Sequence, residues 1–524
     1  MGIFSALFLE TALKRQMAKA KLQAFNYVAG ANSGSGYGQH GGNTRKKSLL
    51  GWFAKSRDAD ADIVYNLEIL RQRARDLHMG TPLANGAVKT IVTNVVGAGL
   101  TLNAQIDYEY LGITLEQANQ IERQIEREFN LWAKKSYNCD IAGSNNFYEM
   151  QVLAMFSMLM SGDCFVLLPI VKRNGSIYDL KINLLEADRI CTPVGESINA
   201  NILEGVEIDQ YGLPVAYHIA NKHPYAIVGD GKPIEWVKIP AFGSKSGRRN
   251  VLHLFTSERP MQRRGLPLLS PVLEMFKQLG RYSDAEIMAA VVSGMFSVFI
   301  KSETPQTPLG AGVPTEERVD QLDTDSLEMG NGSVLALNPG ESVEVANPGR
   351  PNTAFDPFVT SILRQIGASL EIPYEILIKH FTASYSASRA AILQAWQHFL
   401  ARRKWLVDNF CQPIYEEWLT EAVAKGRINL PGFFSDQLIK QAWARAEFFG
   451  SSIPQIDPLK EVNAAIARVE NGFSTRSKEA RELSESNFDE IAPIRVREEL
   501  ALDGSRRSQK QTYTGVIDSE SLAN

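Results

Sequence analysis

Cysteine is sparse in this chain, and none of its four cysteines forms a C-x-x-C pair. Cys139, Cys164, Cys191 and Cys411 are scattered, which excludes a zinc ribbon and argues against a disulfide framework, so reduced thiols are expected. Long apolar runs are missing too. The most apolar stretch, Met288 to Ile300, falls short of the roughly 20 residues that cross a bilayer. The early run Ile3 to Leu9 has no positive charge before it and meets Glu10 at once, so no secretion signal is expected. No G-x-x-x-x-G-K-[ST], H-E-x-x-H or G-x-S-x-G occurs, which excludes a phosphate-loop motor, a zincin and a nucleophile-elbow hydrolase. An excess of positive charge is also lacking. The net charge is −4, whereas a protein gripping nucleic acid over its whole surface reads basic, so any such contact is local.

What is present points to a large folded protein with several parts. At 524 residues, two or more substructures are expected. Residues 1–57 form a basic arm, with Lys14, Arg15, Lys19, Lys21, Arg45, Lys46, Lys47, Lys55 and Arg57 against Glu10 alone, and a Gly/Ser-rich stretch from Gly30 to Gly42. Gly36-Tyr-Gly-Gln-His-Gly41 carries the letters of a dinucleotide loop, but no strand precedes it, so no cofactor is expected. From Asp58 to Gly99 the pattern is helical, with Ile63, Leu67, Leu70 and Leu77 on one face and glycines at the end. Helices over about Thr114–Lys134 and Phe147–Met160 follow.

The period then becomes two. Cys164–Val171, Asp179–Leu185, Ile202–Asp209, Val215–Ile219 and Val251–Phe255 read as strands, the third and fourth joined by a turn at Gln210-Tyr211-Gly212. Residues 58–265 therefore read as an α+β body. Ser270-Pro271 starts a helix of about thirty residues through Leu279, Ala285 and Val291. Turns and short strands (Gly332–Leu337, Glu341–Val345) interrupt it, and a second helix from Asp356 to Leu370 returns. After Pro373 an irregular segment, Tyr374 to Ser386, precedes one long helix from Ser388 to Lys425, bent at Pro413 and ended by Gly426. Such a helix would extend roughly 55 Å, a strut rather than part of a small globule. From about Asp457 the chain is helical and charge-alternating, with a polar tail from Ser505.

Candidate chemistry is thin. Glu316, Glu317, Asp320, Asp323, Asp325 and Glu328, with Glu303 nearby, are opposed only by Arg318. A nuclease would pair such carboxylates around two metal ions, but these lie in a loop-like insert, where a solvated surface or a partner-docking site is the better reading, and no metal is expected. The seven histidines are dispersed; His218 and His253 fall on strands and read as satisfied core residues. Arg259, Arg263, Arg264, Lys379 and His380 are candidates for phosphate contacts.

Several stretches resemble the lambda-type family of phage portal proteins: Arg73-Ala-Arg-Asp-Leu77 with Asn94–Leu100, Gly205–His218, Arg259–Pro267, Ile372–Leu377 with Tyr385–Arg389, and Ile456–Glu461 with Gly472–Thr475. They span residues 60–500 in the family's order. The resemblance implies an α+β, portal-like ring subunit, commonly one of twelve, at one capsid vertex of a virion assembled in the host cytoplasm. It divides the chain into a flexible arm (1–57), an α+β wing (58–265), a stem helix (266–300) and a β-rich clip insert (301–353). A second stem helix (354–373), a tunnel loop (374–387), the long wing helix with the wing remainder (388–456) and a helical crown with its tail (457–524) complete it. It further implies no catalysis and no cofactor, and double-stranded DNA in the channel. Lys379, His380, Phe381, Thr382, Ser384 and Tyr385 are the candidate tunnel-loop residues. The acidic cluster becomes the clip's docking site for the terminase large subunit and head–tail completion proteins, with capsid and scaffold proteins as further partners and no membrane. Two other readings are a metal-dependent nuclease using residues 316–328 and a different head–tail adaptor.

Overall fold

The computed structural model describes residues 14–22, 46–195, 201–226, 233–294, 298–302, 341–345, 354–381, 384–453, 457–484, 488, 491–500 and 502. The chain divides into two units, residues 1–58 and 59–524. In the first, residues 14–22 are helical and exposed, and Lys47–Leu49 makes one 3-10 turn.

The second unit begins with helices α1 (Ala59–Gly80) and α2 (Pro82–Val95). Pro82 opens α2 where its missing N–H is not needed, and Gly97, at φ 62°, follows its end. Strand β1 (Thr101–Ala104) leads to α3 (Leu115–Ala133), whose start is a capping box of Thr114 and Gln117. Helix α4 (Phe147–Ser161) starts with a second box, Asn146 and Glu149. Next come β2 (Asp163–Leu167), β3 (Asn183–Leu185), β4 (Ile202–Leu203), β5 (Val206–Ile208), β6 (Pro214–Ala220), β7 (Trp236–Pro240) and β8 (Val251–Phe255). They form two antiparallel sheets, in the orders β3-β2-β8 and β4-β5-β6-β7.

After β8, one 3-10 turn leads into α5 (Leu273–Gly294), and β9 (Val298–Ser302) pairs antiparallel with β10 (Glu341–Val345). Helix α6 (Phe355–Ser369) returns and meets α5 through Tyr282, whose ring lies 5.4 Å from Phe355 and 5.2 Å from Phe358. A short α7 (Tyr374–Ile378) precedes α8 (Tyr385–Leu406), a π-helical turn (Val407–Cys411) and α9 (Gln412–Ala424). Then come α10 (Gln437–Trp443), β11 (Ala446–Phe449), α11 (Pro458–Glu470) and α12 (Arg476–Ser484). Strand β11 pairs with β1, Thr101 opposite Phe449, so distant parts of the chain close one body.

The main core is aromatic. Ile125, Phe129 and Trp132 line one face of α3, and Phe129 lies 5.1 Å from Trp418, 5.4 Å from Phe147 and 5.9 Å from Tyr415. Phe147 stacks on Phe410 at 5.8 Å. All of these side chains are buried, so the far half of the long helical rod runs through the core rather than standing clear as a strut. A smaller core, around Phe165, Ile190, Val206, Tyr217 and Val251, lies between the two sheets.

Several expectations change. The helix expected over 270–300 ends at Gly294, and Val298 to Ile300 belong to a strand, because the β-branched run can pair with β10. Ile202 to Asp209 is not one strand: Glu204 (φ 47°) and Gly205 (φ 75°) turn it back into a hairpin. Tyr374 to Ser386 is not irregular throughout, since Pro373 starts α7 and Ser384 precedes α8, which begins at Tyr385 rather than Ser388. The Gly332–Leu337 strand and the acids Glu303 to Glu328 lie outside the described residues. No helix among the described residues is long and apolar enough to cross a membrane.

Replacing Trp418 with alanine empties the centre of the aromatic cluster. Urea denaturation should show a loss of about 3–5 kcal/mol, against under about 0.5 kcal/mol for the exposed Phe434→Ala.

Candidate functional site

One of the segments that resemble portal proteins, Arg259–Pro267, places Arg264 and Gly265 in a buried ion cluster. Asp163, the first residue of β2, is fully buried. Its Oδ1 accepts from Arg71 Nη2 at 2.8 Å and Arg264 Nη2 at 3.2 Å, and its Oδ2 accepts from Arg264 Nε at 2.6 Å and the Gly265 amide at 3.3 Å. His253 of β8 lies 3.5 Å from Oδ2 and stacks on Phe165 at 4.1 Å. Arg264, itself fully buried, spends its remaining donors on three carbonyls: Ala187 and Ile190 at 2.9 Å each and Glu204 at 2.5 Å. Arg71 Nε reaches the Ser161 carbonyl at 2.8 Å.

The electrostatics follow from this geometry. Burial pushes the Asp163 carboxyl up, but Arg264 and Arg71, with hydrogen bonds from His253 and Arg264, pull it far below the usual carboxylate range. Burial lowers Arg71 to about 10, opposed by Asp163. Burial also lowers His253, against the pull of Asp163, and keeps the imidazole neutral. All three nitrogens of Arg264 are engaged, by Asp163 and the three carbonyls, so the cluster reads as a structural clamp.

What the clamp holds is the strap 256–269 that leads into α5. Gly265 and Gly162 cross backbone to backbone: a Cβ on Gly265 would lie 1.9 Å from the Gly162 carbonyl oxygen, and one on Gly162 would lie 2.4 Å from the Gly265 oxygen. Arg263 Nε binds Asp60 at 2.7 Å and Arg259 Nη1 binds Asp62 at 2.6 Å, tying the strap to the start of α1. Met261, at φ 64°, packs over Gly212 in the turn between β5 and β6, where φ 86° favours glycine. The phosphate-contact reading of Arg259, Arg263 and Arg264 is therefore overturned for Arg264, which no phosphate can reach; the other two hold carboxylates. His253 and His218 are satisfied strand residues, His218 Nε2 lying 3.0 Å from Glu207.

The structure sets other candidates apart. Lys379, His380, Phe381 and Ser384 are exposed. Lys379 has a left-handed backbone at φ 57°, and the His380 amide donates to the Glu375 carbonyl at 3.0 Å, closing the end of α7. Tyr385 opens α8, and Thr382 lies outside the described residues, as do Glu316, Glu317, Asp320, Asp323, Asp325 and Glu328. Cys139, Cys164 and Cys411 are buried free thiols and Cys191 is half-buried. Among the described residues no group of three or more His, Cys, Asp or Glu is arranged to hold a metal.

Two outcomes test the clamp. Gly265→Ala should destabilise by at least about 3 kcal/mol, whereas Gly280→Ala, in open space on α5, should stabilise by about 0.5–1 kcal/mol. Asp163→Asn should cost about 3–5 kcal/mol at pH 7. Because the folded carboxyl titrates below its unfolded value, its contribution is complete above the ordinary carboxylate range and fades as pH falls. The gap between wild type and Asp163→Asn should therefore narrow below about pH 4 in denaturation curves.

Residues 45–403 match the family described as "Phage portal protein, lambda family". The chain is 26% identical over 486 residues to portal protein B of Escherichia phage lambda, covering 88% of this chain and 89% of that one. It is 27% identical to the portal protein of Escherichia phage N15, covering 88% and 90%, and 24% identical to a probable portal protein of Halomonas phage phiHAP-1, covering 80% and 78%. Among solved structures it is similar to a chain in the neck of a native gene transfer agent particle computed with C12 symmetry, at 13% identity and TM-score 0.42, covering 79% of this chain and 93% of that one. The family match takes in the clamp residues Arg71, Asp163, His253 and Arg264 and the segment around Lys379, and on that match this chain belongs to the lambda family of phage portal proteins.

Proposed function

We propose that copies of this chain close into a ring at one capsid vertex, through which double-stranded DNA is packaged and ejected. Family membership carries the reading. The pair α5 and α6 supports it: Ile287, Met288 and Val291 on α5 and Phe358 on α6 are about half-exposed or more in the single chain. Apolar side chains on facing helices are what a head-to-tail ring interface buries, one patch of each copy against a different patch of the next.

In this reading α5 and α6 are the stem, the insert between them is the clip, Tyr374 to Ala387 borders the channel, and the helices from Asp457 form the crown. The acidic insert, Glu316 to Glu328, docks the terminase and later the head–tail completion proteins. A conduit must guide a polyanion without holding it. Each phosphate neutralised releases counterions and deepens binding, and a ring multiplies the effect by its subunit number. A sparse set of cations, Lys379 and His380 in each copy, suits sliding better than a basic wall. The nuclease reading of the acidic cluster draws no support from the family, and incubation of the purified protein with Mg²⁺ or Mn²⁺ and linear duplex should leave the DNA intact.

Negative-stain images of the purified chain should show rings with a central hole, and protein that stays monomeric at tens of micromolar overturns the reading. Ile287→Asp with Val291→Asp should abolish rings while leaving the melting temperature of the single chain within a few degrees. Lys379→Ala with His380→Ala should leave rings intact and lower the DNA packaged per particle; normal packaging contradicts the channel assignment.

A further inference from the structure

Helix α6 ends in a turn that a glycine would adopt more easily than the residue found there. Glu371 has φ 57°, and the Ile372 amide reaches back to the Gly367 carbonyl at 2.9 Å. This closes the helix as a left-handed cap, which usually carries glycine because a side chain there is strained. Gly367 is itself required, since a Cβ at that position would lie 2.5 Å from the Ile372 oxygen.

The side chain of Glu371 explains the choice. Its Oε2 lies 2.8 Å from Nδ1 of His398, two turns before the end of α8. On the other side of the ring, Arg402 Nε donates to His398 Nε2 at 2.7 Å. A guanidinium only donates, so Nε2 must hold a lone pair and the proton must sit on Nδ1, facing the carboxylate. The ring is therefore neutral and bridges a cation and an anion. Glu371 and Arg402 also line a cavity of about 640 Å³, together with Asp62 and Arg73 of α1 and Glu258 of the strap. Arg402 and Glu371 are the charges that act on the imidazole. The cavity leaves Arg402 room to swing away.

We infer that Glu371, His398 and Arg402 form a proton-sensitive latch that fixes the second stem helix, and the channel-facing segment after Pro373, against the long helix. Protonation of Nε2 removes the acceptor from Arg402 and sets two cations face to face in a half-buried site. Burial already lowers His398 below its ordinary value, with Arg402 adding to the shift and Glu371 opposing it. The closed latch is thus complete above about pH 6.5 and opens as pH falls below that. Glu371 and Arg402 act through His398, as positioning residues. The regulatory meaning rests on the proposed channel assignment, but the latch itself is read from local exchange and stands or falls without it.

Hydrogen exchange of the full-length assembled protein, corrected for intrinsic pH effects, tests the latch. Amides of residues 369–380 should lose protection between about pH 6.5 and 5, while those of the Asp163 strand stay protected. His398→Gln keeps one donor and one acceptor without a titrating proton, and should hold the segment protected throughout. Arg402→Met removes the cation that protonated His398 would face and should abolish the low-pH opening, whereas Glu371→Gln, which leaves Arg402 in place and removes the opposing carboxylate, should keep a low-pH opening. An opening that is absent in wild type, unchanged in His398→Gln, or retained in Arg402→Met overturns the latch. If exchange follows this pattern and the Lys379/His380 variant still packages normally, the latch stands and the channel assignment falls.

Discussion

A carboxylate with no access to water, gripped by two guanidiniums, organises this chain. Asp163 sits at the junction of α4 and β2, Arg71 comes from α1, and Arg264 comes from the strap that leads into α5. Burying three charges carries a large desolvation penalty, recovered only when every donor and acceptor is met. Here Arg264 satisfies Asp163 and three loop carbonyls at once, so the loops 187–190 and 204–205 are shaped around it. The strained Glu204, the crossed glycines at 162 and 265 and the left-handed Met261 follow from bringing the strap this close. In the proposed ring, such a joint makes the position of α5 a property of the body rather than of a flexible linker.

Much of this was legible in the residue pattern, and the failures are instructive. The helix over Leu115–Ala133 was legible from a capping box and an apolar face, and that over Phe147–Ser161 from a capping box before a nearly continuous apolar run. The out-and-back helices were legible from Ser270-Pro271 and the four-residue apolar step after Asp356. Strands β1, β7 and β11 were not: each is four or five residues long, and the partners of β1 and β11 lie more than three hundred positions apart. Pairing of that kind leaves no local period to read. The helical turn at Tyr374–Ile378 was hidden by Pro373, which reads as a breaker yet serves as the residue before a helix.

The site was legible in place and misread in role. Arg259, Arg263 and Arg264 stand out as cations in a chain without basic excess, which suggested phosphate. Nothing local announces that Arg264 is buried, because its acid lies 101 residues away. A signal was available in Asp163, a charge opening the apolar run Cys164–Leu168, and it is fully buried, as is Lys181. A charge inside such a pattern needs a partner of opposite sign or a cage of carbonyls, and Lys181 has the second, with the Tyr178 and Asn138 carbonyls at 2.6 and 2.8 Å. The latch was equally hidden, since only the fold brings His398 to Glu371. Clamp and proposed latch thus share one logic: polar groups distant in the sequence tie the strap before α5 and the end of α6 to the body.

A double-mutant cycle on Asp163 and Arg264, using Asp163→Asn, Arg264→Met and the pair in urea denaturation, measures the clamp most directly. The coupling should be about 2–3 kcal/mol, because the second substitution removes a partner already lost. Additivity within about 0.5 kcal/mol would mean that the two charges do not act as a unit, and that the strap is held by its neighbours instead.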